Sequence, residues 1–117
     1  MCAAWYNFCH VLDDLVDRDK PVTAERVGMM VLGVLEGLAT NPFFQTHAAA
    51  LLPVFRLGAL NWVESERLRA EGDERERWAA EVFKSLYQEV FWLTAGICGG
   101  REHQLAMMRK HRKVDWD

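Results

Sequence analysis

Cysteine is scarce in this chain, and the three present, Cys2, Cys9 and Cys98, are odd in number and show no CxxC spacing. That argues against a disulfide framework or a zinc site and leaves the thiols as small apolar residues of a reducing compartment. Long apolar runs are missing too. The longest, from Val27 to Ala39, is broken by Glu36 and is too short to span a bilayer. The first residues lack the basic flank and cleavage pattern of a secretory signal, so a cytoplasmic protein with no membrane association is the expectation. There is no GxSxG, no catalytic-looking Cys/His pair and no glycine-rich loop after a strand, because Gly96, Gly99 and Gly100 follow a helical pattern. Nucleophilic catalysis and a phosphate-cradling loop have no support. No stretch sustains strand-like alternation of apolar and polar residues.

What the chain does contain is apolar mass and helical periodicity. Its 117 residues suit a single all-helical domain spanning residues 1–117, with a modest core. Yet 50% of the residues are hydrophobic, including five Trp and six Phe. One small core is hard pressed to hide them all, so a homodimer is expected. The net charge of -3 calls for neither nucleic acid nor an anionic membrane. The charge is unevenly placed. Asp13, Asp14, Asp17 and Asp19 crowd one segment, and Arg109, Lys110, Arg112 and Lys113 another. The basic run fits a helix C-terminus better than nucleic-acid binding, since no aromatic residues interleave it.

The helices can be placed by their caps. The first spans about Ala3 to Asp17, with Asp19-Lys20-Pro21 ending it. Thr23 caps a second, Ala24 to Ala39, whose buried stripe would be Val27, Val31, Val34, Leu35 and Leu38. Gly28, Gly33 and Gly37 weaken that helix unless another helix approaches there. Asn41-Pro42 opens a third, to about Ala70, which Pro53 should kink near Ala50. Gly72 ends it, and Asp73 caps a fourth helix running from Glu74 to Cys98. Gly99-Gly100 stops that helix, and a last one covers about Arg101 to Lys113. The expected architecture is all-α, a compact bundle of four to five mostly antiparallel helices.

The sharpest feature is Asp13-Asp14-Leu15-Val16-Asp17. On a helix, His10, Asp13, Asp14 and Asp17 share one stripe. Like charges this close repel, and a divalent cation with hard oxygen ligands, Mg²⁺, Mn²⁺ or Ca²⁺, would relieve them. The competing reading is a solvated acidic helix end. Mg²⁺ usually keeps waters and takes substrate phosphates, so a phosphorylated ligand and further protein oxygens are implied. Asn61, Glu64 and Ser65, on one face of the third helix, are candidates for those oxygens, although Glu64-Ser65-Glu66-Arg67 also reads as ordinary ion-paired surface. His10, Lys84, Gln88 and Glu89 are substrate-binding candidates. For His10 a hydrogen-bonded bystander role competes, and Glu89, amid Tyr87, Val90, Phe91 and Trp92, is either turned outward or paired inside.

The segment His10-Val11-Leu12-Asp13-Asp14-Leu15-Val16-Asp17 resembles the DDxxD helix of class I isoprenoid synthases. The resemblance implies Mg²⁺ held by Asp13, Asp14 and Asp17, a substrate diphosphate held by the metal, and an isoprenoid-synthase-like helical core in reduced form. That family's second motif places Asn, Ser and Glu at four-residue steps; Asn61 and Ser65 match it, and Arg69 stands where Glu is expected. The family's fold is more than twice this length. Asp14-x-x-Asp17 is also similar to half of the acidic pattern of MazG-type nucleoside triphosphate pyrophosphatases, small helical bundles of about this size, but no paired glutamates precede it. A third possibility is a non-enzymatic helical interaction protein, such as a mobile element or accessory operon encodes, with its Trp-rich faces as the interface.

Overall fold

The structure, a computed structural model, describes residues 1–18 and 20–111. Asp19, Arg112 and Lys113 lie outside the described residues. The fold is all-α, and there is no strand among the described residues. The helices are α1 (Cys2–Asp17), α2 (Ala24–Ala39), α3 (Pro42–Glu71), α4 (Glu74–Ser85) and α5 (Glu89–His111), with a 3-10 turn, Leu86–Gln88, between the last two. The chain divides into two compact units, Met1–Ala50 and Leu51–Asp117. No single helix among the described residues is long and apolar enough to cross a membrane.

In the first unit α1 and α2 pack against each other as an antiparallel pair. The end of α1 meets the start of α2 through Asp14 and Arg26, and the start of α1 meets the end of α2 where Ala4 faces Gly37. A Cβ on Gly37 would lie 3.3 Å from that of Ala4, so this glycine does admit a neighbouring helix. Gly28 and Gly33 face open space instead. Arg18 ends α1 in the left-handed conformation, φ 56°, and its N–H donates to the Asp14 carbonyl at 2.9 Å. Thr23 caps α2 by accepting from the Arg26 N–H at 3.1 Å, satisfying one of the donors a helix start leaves open. Trp5, Val11 and Met30 are this unit's buried apolar side chains. The expected α2 stripe is corrected here. Met30 is buried, whereas Val31 and Leu35 are exposed, because α2 offers its apolar character around most of its circumference and only part of it is covered.

Asn41 caps α3 through its side-chain oxygen, which accepts from the Phe44 N–H at 2.9 Å. The departure from helical geometry falls at His47 (φ −112°, ψ 15°), two residues before Ala49, whose carbonyl the Pro53 ring crowds, and a little earlier than expected. In the second unit, Leu51, Phe55, Leu68, Ala80, Val90 and Trp92 are buried. Asp73 heads α4 with a reciprocal capping box. Its carboxylate accepts from the Glu76 N–H at 2.8 Å, and Glu76 accepts from the Asp73 N–H.

The helix expected from Glu74 to Cys98 is instead interrupted at the 3-10 turn, and α5 reverses on itself at Gly100. There φ is 79° and ψ −177°, a backbone that L side chains rarely adopt. A straight helix would separate Trp92 from Gln104 by about 18 Å at 1.5 Å per residue. Yet the Gln104 amide donates to the Trp92 carbonyl at 2.9 Å. Residues 89–99 and 101–111 are therefore two arms folded together. Gly96 makes room for the join, since a Cβ there would meet Gln104 Nε2 at 2.8 Å. The stop at Gly99-Gly100 and the separate helix beyond it are both present as this fold-back.

Candidate metal centre

The turn geometry of α1 places His10, Asp13, Asp14 and Asp17 along one stripe, and the four side chains have different surroundings. His10 is exposed, with its ring 4.1 Å from that of Tyr6. Asp14 is half-buried and ion-paired. Its Oδ2 accepts from Arg26 Nη2 at 2.8 Å, and its side chain is 12% exposed. Asp13 and Asp17, one helical turn apart, are half-buried. Beside them the Cys9 thiol is pushed up to about 12, first by burial and second by the negative charge of Asp13. Cys9 therefore stays a protonated, neutral neighbour of the carboxylates at ordinary pH.

A shallow pocket of about 390 Å³ opens at the C-terminal end of α1, lined by Asp14, Leu15, Arg18, Lys20, Pro21 and Val22. It brings two cationic side chains, Arg18 and Lys20, to the acidic end of the helix. Neither stood out in the sequence, because a single Arg and a single Lys after a helix are ordinary solvated residues.

The second unit holds the remaining candidates. Asn61 is half-buried and lines a cavity of about 630 Å³, which Glu89 and Gln104 also line. Ser65 is fully buried, and its hydroxyl donates to the Trp62 carbonyl at 2.7 Å, a local helix-backbone bond. Glu64 is exposed and clasped by Arg67, whose hydrogen bonds hold its carboxyl below the usual value. Glu66 is half-buried and pairs with Arg69 at 3.2 Å. Lys84 and Gln88 are half-buried at the end of α4 and in the 3-10 turn. Of the sequence candidates in this unit, the structure thus brings Asn61 and Glu89 to one cavity. It turns Ser65 toward backbone and Glu64 toward solvent.

Within the first unit, Asp13 and Asp17 form a half-buried acidic pair at the end of α1 that could take part in holding a metal ion. Its donors are carboxylate oxygens, which suit hard cations such as Mg²⁺ and Mn²⁺. No protein-family model, curated protein or solved structure matches the chain. The likeness to isoprenoid synthases therefore rests on the aspartate segment and the Asn61/Ser65 pair alone.

Proposed function

We propose that this protein binds a divalent cation, Mg²⁺ or Mn²⁺, through Asp13 and Asp17, and through that cation a diphosphate-bearing small molecule. The observation that carries the reading is the acidic end of α1, where two half-buried carboxylates of one ligand type stand one helical turn apart. Attraction for a cation grows as carboxylates leave bulk water, provided the cation compensates their mutual repulsion. Two carboxylates leave room in an octahedral shell for waters and for phosphate oxygens. Arg18 and Lys20 add charge-assisted donors for a diphosphate at the same end of α1. Asp14 takes a positioning part, tying α1 to α2 through Arg26. In an enzyme of this design the cation would stabilise a leaving diphosphate, or with a nucleotide would activate water.

The test is a thermal-melt titration with Mg²⁺ and Mn²⁺, with and without inorganic diphosphate, on the wild type, Asp13→Asn and Asp17→Asn. The expected result is stabilisation by the metal that grows with diphosphate and is lost in both variants, since a ligand that binds the native state raises the melting temperature by mass action. No shift at millimolar metal overturns the proposal. An isoprenoid diphosphate and a nucleoside triphosphate, added in the same format, separate the two substrate classes.

A second reading, a helical interaction protein acting as a homodimer, is favoured by a separate observation. Met29 and Leu35 are each 61% exposed and Trp78 75% exposed, large apolar side chains that a partner would cover. A second copy is the partner this reading takes, because α2 carries no charge between Arg26 and Glu36 to select another. Sedimentation at micromolar concentration that yields only monomer would rule it out.

A further inference from the structure

We infer that the cavity of the second unit is a binding site for a small neutral molecule that joins an apolar body to a primary carboxamide or a lactam. At about 630 Å³ it has the volume of a small-molecule site, and every residue lining it belongs to this one unit. Its wall is mainly apolar, with Leu86, Leu93 and Met108 among the lining side chains. Glu89 borders it too but already interacts within the chain, so it is not a free charge for a ligand. Two amides remain. Gln104 Nε2 donates to the Trp92 carbonyl at 2.9 Å and is thereby committed to joining the two arms of α5. Asn61 is half-buried, and among the described residues its side chain has no hydrogen-bond partner.

That open amide decides what can enter. Val54, Leu57, Gly58 and Asn61 recur at helical spacing on α3 and all line the cavity, so Asn61 stands at one end of an apolar strip. Its carbonyl accepts and its NH₂ donates, side by side in one plane. Water can serve both groups, so a ligand that displaces it gains apolar burial but must replace those hydrogen bonds. A hydrocarbon body alone leaves both groups unpaired, at a desolvation cost. An ester or ketone accepts from the NH₂ and leaves the Asn61 carbonyl without a donor. A primary carboxamide or a lactam carries a donor and an acceptor on the same side and answers both, as the adenine edge does for Asn in nucleic-acid recognition. The apolar body then lies along the strip toward Val54. The site shares no residue with the metal reading and needs no cation.

The experiment measures binding of 3-phenylpropanamide and of methyl 3-phenylpropanoate to the full chain by calorimetry. The two probes share an apolar body and a carbonyl, and only the amide has N–H donors. EDTA is present so that metal binding plays no part. The amide is expected to bind about tenfold more tightly than the ester, or better. Asn61→Leu should abolish that preference while the ester still binds. The variant should melt no lower than the wild type, because an amide without a partner in the chain contributes no bond to lose. Equal affinity of the two probes in the wild type overturns the inference. So does an amide preference that survives Asn61→Leu, and so does absence of amide binding up to about 1 mM, the weak end of specific recognition. A lower melting temperature for Asn61→Leu overturns it as well, since Asn61 would then serve the fold. The comparison of probes in the wild type needs no variant and decides the matter by itself.

Discussion

Replacing Asp14 by Asn removes one charge with almost no change of shape, and the structure assigns that charge to Arg26 instead of to a cation. The pair is 2.8 Å long, with the Asp14 side chain 12% and the Arg26 side chain 36% exposed. Exposed ion pairs contribute about 0.2–1 kcal/mol, and hydrogen bonds to charged groups about 1.5–3 kcal/mol. Arg26 keeps much of its contact with water, so screening holds the pair to the low part of that span, about 1–1.5 kcal/mol. For a chain of this size that corresponds to a fall in melting temperature of roughly 4–6 °C. A double-mutant cycle with Arg26→Gln, read by urea unfolding, should give a coupling energy of about 1 kcal/mol. Metal binding provides the decisive contrast. A cation at ten times its dissociation constant stabilises the native state by about 1.4 kcal/mol. Asp14→Asn should keep that increment, measured from its own lower baseline, and Asp17→Asn should lose it. If Asp14→Asn abolishes metal stabilisation as fully as Asp17→Asn, and the cycle shows no coupling to Arg26, the division of roles along the stripe is wrong.

Three other perturbations probe the scaffold around these sites. Gly100→Ala places a Cβ at φ 79° and ψ −177°, a region occupied almost only by glycine, and should cost about 1–3 kcal/mol in the urea midpoint; an unchanged midpoint would mean that the fold-back is not needed for stability. Asp73→Ala removes the capping box of α4 and should cost about 1 kcal/mol, accompanied by a small loss of helical circular dichroism. Cys98 is exposed and should alkylate with iodoacetamide at pH 8 well before Cys9, whose thiol is held protonated. The same shift has a stability consequence. The Cys9 thiol rises from an ordinary 9.0 to about 12, so above pH 9 the unfolded chain releases a proton that the folded chain retains. Stability must therefore decline as pH rises through that window, with no contribution below it, and Cys9→Ala should flatten the alkaline limb of a stability-against-pH curve.

Local chemistry was readable in the sequence, and its limits are physical. Thr23, Asn41 and Asp73 were legible as caps because a cap is decided by one side chain and a backbone N–H two or three residues away. The reversal at Gly100 was legible for the same reason, since two glycines in succession are the cheapest place to leave helical space. The break at Leu86–Gln88 was not. All three residues tolerate a helix, so propensity gives no reason to interrupt it there. Periodicity likewise named the residues that share a face of α2, but not whether anything covers that face, and so Val31 and Leu35 were assigned to a core they do not join.

The same distinction explains what happened to the acidic stripe. The spacing of Asp13, Asp14 and Asp17 established that three carboxylates share the end of one helix. It could not assign them different tasks, because that depends on where α2 returns. The turn after α1 brings Arg26 back to Asp14, so one of the three carboxylates already has a cation and closes the contact between the two helices. A second divalent charge at Asp14 would have to displace a guanidinium and would loosen the α1–α2 pair in doing so. The arginine that sets Asp14 apart lies twelve residues downstream, invisible to any motif confined to the first helix.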